Sequence, residues 1–411
     1  MLFRSSGYFL DNLAPGPYRI TSDHPITVQF GRLDDNTLTR NISPGWPVIN
    51  MEAEDFLFVG GEFYYDDRWK TNLPGFPTEG TIFLNGGKAC LTVICDYLRD
   101  HDINRVLLPA YLCPTIVDTI ESCGLRCDYY SISPSFTIDN NDLEYHLQER
   151  QAVYFINYFG FSPSPKTLKF LSDLQHTGRI IIEDNAQGGL LNHTAGDFAF
   201  NSMRKFCAFD GGYLKTAHDL KPYLAACAGR ENHRLPLIRQ YRSQLRDYLF
   251  EDAGNRESLE ALFELAESYY LSDGVVLGDE QEREQIEHLD WKAIKQVRRQ
   301  NYNKLLNSIS KINTISPIFP SLQPDNTPLG LPVYVRDGMR DELNEYLGEN
   351  GIGLTIHWEG LISDPRLNSN LLAVEMSRNI LTLVIDQYTS QKQLDYLCQK
   401  LADFSSTVGC R

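Results

Sequence analysis

From residue 81 to about residue 216 the sequence alternates short apolar runs with helical stripes, and no other feature restricts the possible folds as much. Runs at 106–108, 125–130, 153–159 and 180–182 are too short for amphipathic helices, and they suit strands buried on both faces. Between them, Leu91, Ile94, Cys95 and Leu98 fall on one helical face just after Gly86-Gly87. A second helix is expected over 115–122, ending at Gly124, and a third over 165–175 with Pro165 in its first turn. Strands alternating with helices predict an α/β fold with a mostly parallel central sheet.

The flanks read differently. Residues 1 to about 75 are rich in Pro, Gly, Asp and aromatics, with short apolar pieces at 26–30 and 56–59, which predicts an irregular arm with short strands. Its rings Phe56, Phe58, Phe63, Tyr64, Tyr65 and Trp69 need a surface to cover, either on the same chain or on a second copy. Beyond about residue 229 the chain turns helical and acidic, with Leu259, Leu262, Phe263, Ala266, Tyr269 and Tyr270 at helical spacing. A long helical pattern over 290–312 precedes strand-like runs at 332–335, 352–356 and 380–385. The expected organisation is an arm (1–75), a large domain with a helical insert (76–289) and a smaller α+β C-terminal domain (290–411).

Charge and cysteine usage narrow the partners. With 38 Lys and Arg against 54 Asp and Glu, the net charge of -16 offers no general attraction to nucleic acid or anionic lipid. No apolar stretch approaches the about 18 residues of a membrane span, and a cytoplasmic protein is expected. Nine scattered cysteines suggest thiols rather than a disulfide framework. Cys123 and Cys127 lack a second ligand pair, so no metal site is expected.

The chemistry concentrates between residues 85 and 212. Ile180-Ile181-Ile182-Glu183-Asp184-Asn185-Ala186-Gln187 is a buried strand ending in two carboxylates, at the edge where open α/β sheets bind ligands. An Asp there suits a cation or a protonated ring nitrogen. Twenty-one positions later Lys205 closes Ser202-Met203-Arg204-Lys205, on a turn before Phe209-Asp210-Gly211-Gly212. A lysine beside a second cation loses basicity and becomes a competent nucleophile. Upstream, Gly86-Gly87 opens a helix whose first amides can cradle a phosphate.

This ordered set resembles the fold type I pyridoxal phosphate enzymes and, within them, the DegT family of sugar aminotransferases. The likeness covers about residues 80–215, and more loosely 290–411. Asn85-Gly86-Gly87-Lys88-Ala89-Cys90-Leu91 is similar to the family's Ser-Gly-Thr-x-Ala-Leu phosphate turn, and Leu108-Pro109-Ala110-Tyr111 to the strand end that follows. Asn157-Tyr158-Phe159-Gly160 stands where the family carries His-x-Tyr-Gly, and Glu183-Asp184-Asn185-Ala186-Gln187 resembles its Glu-Asp-x-Ala-Gln/His signature. Ile356-His357-Trp358 resembles a substrate-side segment of the small domain.

The resemblance implies roles. Lys205 would bond to the pyridoxal phosphate aldehyde and later move the proton between substrate and cofactor carbons, while Asp184 would keep the ring nitrogen protonated. Gln187 would hydrogen-bond the ring's phenolate oxygen, and Ser202 with the amides of Gly87 and Lys88 would bind the phosphate. Asn157 would line the cofactor pocket, and Tyr111, in preference to Cys113, would cover the ring face because an aromatic plane stacks. His357 and Trp358 would face the substrate. The implied reaction moves an amino group from a donor such as glutamate to a keto-sugar, often nucleotide-linked, in surface polysaccharide or secondary metabolite biosynthesis, carried out by a homodimer.

Two departures stand out. The family's Gly-Tyr-Asn-Tyr-Arg-Met-like stretch, which reaches the partner subunit, has no counterpart in residues 230–278. Arg204 stands where common members have an uncharged residue, either as an extra cation for an acidic substrate group or, in preference, paired with Asp210. The alternative readings are a pyridoxal phosphate enzyme acting on a non-sugar metabolite, and a non-catalytic binding protein on the same scaffold.

Overall fold

The computed structural model describes residues 59–76, 78–190, 194–251 and 253–408, with strand segments at 8–9, 26–31 and 37–42. These segments, β1 (Tyr8–Phe9), β2 (Ile26–Gly31) and β3 (Thr37–Ile42), form a small sheet in that order. Phe56 and Phe58 lie outside the described residues. The next rings fold back on their own chain: Phe63 and Tyr64 sit 5.2 and 4.9 Å from Tyr388, and Tyr65 sits 5.4 Å from Phe209. Those three therefore find cover without a second copy.

The predicted α/β core is a seven-stranded sheet: β4 (Thr81–Leu84), β5 (Arg105–Pro109), β6 (Arg126–Tyr130), β7 (Gln151–Ile156), β8 (Ile181–Asn185), β9 (Phe198–Asn201) and β10 (Gly212–Thr216). Its spatial order is β4-β10-β9-β8-β7-β5-β6, and β10 alone runs antiparallel, to both neighbours. Every residue of β7, β8 and β9 is buried, which is why these strands carry no apolar–polar alternation. The crossovers carry α1 (Gly87–Asp100), α2 (Pro114–Ser122), α3 (Asn140–Tyr145) and α4 (Pro165–His176). The last is started by the Ser164 side chain, which accepts from the Thr167 amide, and by Pro165. From β5 the chain steps outward to β6 and then returns to the other side of β5 as β7. This reversal opens a crevice at the C-terminal strand ends.

Helices α5 (Lys221–Ala225), α6 (Arg234–Phe250), α7 (Arg256–Ser272) and α8 (Glu280–Glu287) follow. Leu235, Ile238, Tyr241 and Leu245 of α6 cluster with Leu259 and Ala266 of α7 in a separate apolar core. Asp290 caps the long α9 (Trp291–Ile309), as its pattern predicts. An antiparallel sheet of β11 (Ile315–Pro317), β12 (Leu331–Val335) and β13 (Ile380–Leu383) then packs with α10 (Arg340–Glu349), α11 (Leu371–Asn379) and α12 (Gln391–Val408). The run at 352–356 is not a strand: Ile352 and Thr355 make single bridges, to Val59 and Thr382. Gly351 precedes it and Gly353 lies within it, and a Cβ on Gly60 would collide with the Gly353 carbonyl, so the backbones meet at one point instead of pairing along a ladder. No helix among the described residues is long and apolar enough to cross a membrane.

Candidate active site

The end of β8 places Asp184 beside β7, where Ile156 pairs with Asp184 and Tyr154 with Ile182. Tyr154 thus shares a sheet face with Asp184, one pair away, and its hydroxyl donates to Asp184 Oδ2 at 2.5 Å. The Ala186 amide donates to Oδ1 at 2.7 Å, so both oxygens are oriented. Burial pushes this carboxyl upward, against the Tyr154 hydroxyl, the Ala186 amide and the charge of Lys205. Tyr154 is the partner the sequence reading misses, although period-two spacing in a strand contained the signal.

Lys205 ends a short 3-10 turn (Met203–Lys205) between β9 and β10 and is half-buried. Among the described residues its amine has no hydrogen-bond or ion-pair partner. Burial lowers its pKa; Cys113 and Asp184 oppose the shift and Arg204 adds to it. The turn is clamped from behind. A Cβ on Gly212 would lie 2.7 Å from the Gly86 carbonyl carbon, so the Gly-Gly restart lets α1 pack against the base of the turn.

Arg204 does not pair with Asp210 as expected. Asp210 is already saturated by Arg234 (2.6 Å) and Arg242 (2.7 Å), all three nearly fully buried, and its carboxyl is held well below the usual range. Arg204 turns instead to Glu267 at 2.7 Å and lies 4.2 Å from the Tyr270 ring centroid.

At the head of α1, Gly87 brings the helix N-terminus against Ser202: a Cβ there would sit 3.2 Å from that of Ser202. Ser202 is 3% exposed, and its hydroxyl has no partner among the described residues. Lys88 follows as the second residue of α1. Gln187 accepts from the Phe159 amide at 2.8 Å, while its own amide nitrogen is buried without a partner. Asn157 donates to Glu183 (2.8 Å) and Asn185 (2.7 Å), which leaves its carbonyl oxygen unpaired. Buried polar atoms are normally satisfied, so these orphans mark a place for a polar ligand.

His357 lies in the turn after the Thr355 bridge, and its Nδ1 is 3.0 Å from Oγ1 of Thr382 on β13. Burial and then the charge of Lys205 push its pKa down to about 3, so the ring is uncharged. Trp358 packs 5.0 Å from Tyr111. Tyr111 itself is fully buried among Phe136, Tyr158 and Trp358, and its hydroxyl donates to the His357 carbonyl at 3.3 Å. It shows no free face on which a ligand ring can stack. Cys113, the weaker candidate in the sequence, is half-exposed at the head of α2, with its Sγ 3.0 Å from Thr115 Oγ1. Asp184 at the end of β8 and the Lys205 turn after the neighbouring β9 therefore adjoin, with Asn157 and Gln187 beside Asp184, Gly87 against Ser202, and His357 5.2 Å from the ring of Phe159, whose amide holds Gln187. The set suits a phosphorylated, nitrogen-containing ring bearing an aldehyde: a carboxylate for the ring nitrogen, an amide for its oxygen, a helix N-terminus for the phosphate and an amine for the aldehyde. The described residues hold no cluster suited to a metal ion.

No protein-family model matches the sequence, and no curated protein matches it significantly. Solved structures do resemble it. The sugar aminotransferase CalS13 of Micromonospora echinospora is 15% identical with a TM-score of 0.57, over 79% of this chain and 87% of its own. Spr1654 of Streptococcus pneumoniae in its PLP form is 14% identical with a TM-score of 0.60, over 85% and 94%. A DegT DnrJ EryC1 StrS aminotransferase of Brucella abortus is 15% identical with a TM-score of 0.55, over 80% and 86%. The chain has the fold type I architecture of the DegT-type aminotransferases, the same family its motifs resemble.

Proposed function

We propose that the protein is a pyridoxal phosphate-dependent aminotransferase that moves an amino group from an amino acid such as glutamate to a keto-sugar. One observation carries the reading: a strand-end carboxylate on β8, oriented by Tyr154 and the Ala186 amide, and an unpartnered lysine on the turn directly after the neighbouring β9 stand beside an orphaned buried amide, on a fold shared with aminotransferases. When bound, the cofactor supplies an electron sink for the carbon that exchanges its amino group. The protein's part is positioning and proton control. Lys205, lowered in basicity by burial, is the covalent anchor and the base that moves the proton. Asp184, fixed by Tyr154 and the Ala186 amide, holds the ring nitrogen's proton. Gln187 donates to the ring oxygen, Asn157 lines the pocket, and Gly87, Lys88 and Ser202 receive the phosphate. Cys113, half-exposed at the head of α2, would cover the ring face in preference to the fully buried Tyr111.

His357 and Trp358 form the substrate side, with Tyr111 supporting them from behind. A keto-sugar is favoured over a non-sugar acceptor because all three structural neighbours named above carry sugar or DegT-type aminotransferase names. The working unit is a cytoplasmic homodimer; the eight described cysteines are all free, which suits a reducing compartment, and soluble oligomers are most often two-fold symmetric. The reading is tested by loading the protein with pyridoxal phosphate and adding amino acids one at a time. A competent donor should discharge the visible absorbance near about 410–430 nm that the cofactor acquires on its lysine.

A further inference from the structure

The head of α1 is closed by this chain's own helical hairpin. Tyr270, in the last turn of α7, lies over Gly86: a Cβ on that glycine would be 3.3 Å from the ring edge and 3.7 Å from the hydroxyl. The following segment is tied to the same spot. Asn85 donates through Nδ2 to the Gly274 carbonyl (3.2 Å) and accepts from the Val276 amide (3.0 Å), while its own amide bonds the Val276 carbonyl (3.1 Å). Arg204, fixed by Glu267 and lying against the Tyr270 ring, sets that ring's position. The hydroxyl of Tyr270 has no hydrogen-bond partner among the described residues, and neither has that of Ser202, which is 3% exposed and packed against Gly87. Two hydroxyl-bearing side chains without a hydroxyl partner among the described residues therefore stand at the start of α1, the half-buried Tyr270 against Gly86 and the buried Ser202 against Gly87. This is the chemistry of a phosphate monoester site.

We propose that Tyr270 is a phosphate-binding residue that completes the cofactor cradle within a single chain, with Arg204 as its positioning residue. The proposal rests on the cofactor reading above and adds to it a ligand contact from α7, in the stretch where the sequence lacks the partner-reaching motif. The hairpin then has a function: α7 delivers the Tyr270 hydroxyl to Gly86, and the Asn85 hydrogen bonds lock the delivery.

The test compares pyridoxamine phosphate with pyridoxamine, two probes that differ only in the phosphate and carry no aldehyde to react with other lysines. Dissociation constants are measured by titrating the cofactor-free full chain and its Tyr270→Phe variant, which keeps the ring packed on Gly86 and Arg204. Losing a hydrogen bond to a charged group should weaken pyridoxamine phosphate about tenfold or more and leave pyridoxamine unchanged. Arg204→Gln should show the same selective loss to a smaller extent. An unchanged preference for the phosphorylated probe in Tyr270→Phe would overturn the proposal and leave the cofactor reading intact. Wild-type protein that binds neither probe would overturn both.

Discussion

Burial keeps His357 uncharged, and this has a measurable consequence. An unfolded histidine titrates near about 6.5, whereas the folded one is pushed down to about 3 by burial and by the charge of Lys205. Between these values the unfolded chain binds a proton that the folded chain refuses. The stability this group contributes is therefore present above about pH 6.5 and drains away as the pH falls toward 3, at up to about 1.4 kcal/mol per pH unit. Urea unfolding of wild type and His357→Asn from pH 7 to pH 5 should give a shallower loss in the variant; equal slopes would contradict burial beside the lysine. At this scale the sequence discloses residues that lie in short local motifs, such as Asp184, Gln187 and Lys205. It does not disclose Tyr154 or Tyr270, whose importance arises from a strand register and a distant hairpin. For Tyr111 the sequence suggests a ring for stacking, and the packing adds that this ring is fully buried among Phe136, Tyr158 and Trp358.

The helical hairpin is held to the lysine turn by buried charge. Asp210 binds Arg234 and Arg242, Glu267 binds Arg234 and Arg204, and Glu282 accepts from the Asp210 amide and from Arg239. Such pairs add little net stability over apolar packing, but removing one partner strands its charge. Asp210→Ala should cost about 3–5 kcal/mol, read as a lowered urea midpoint at constant slope, because two buried guanidiniums lose their carboxylate. A loss below about 1 kcal/mol would mean that water reaches the cluster. Helices and buried strands of this chain are legible because their periods are local. The pairing of Arg204 is not, since it depends on which carboxylates the hairpin brings in, and the run at 352–356 misleads because strand-forming residues still need a neighbour to pair with.

For the whole molecule, strand and helix order in the sequence already implies the parallel sheet, and the reversal between β5 and β7 gathers the site residues at one edge. Oligomeric state is a different matter, because the rings of Phe63, Tyr64 and Tyr65 are covered by their own chain. Light scattering at micromolar concentration should nevertheless give twice the mass of one chain, and a fully active monomer would contradict the homodimer. The assignment of the chemistry to Lys205 is open to a still more direct measurement. Wild type and Lys205→Ala are each loaded with pyridoxal phosphate, and their visible spectra are recorded before and after addition of the best amino donor. Wild type should show the band near about 410–430 nm and lose it to the donor, whereas Lys205→Ala should lack the resting band and turn over several orders of magnitude more slowly. A Lys205→Ala protein that keeps both the band and its turnover would contradict the assignment of Lys205 as anchor and base.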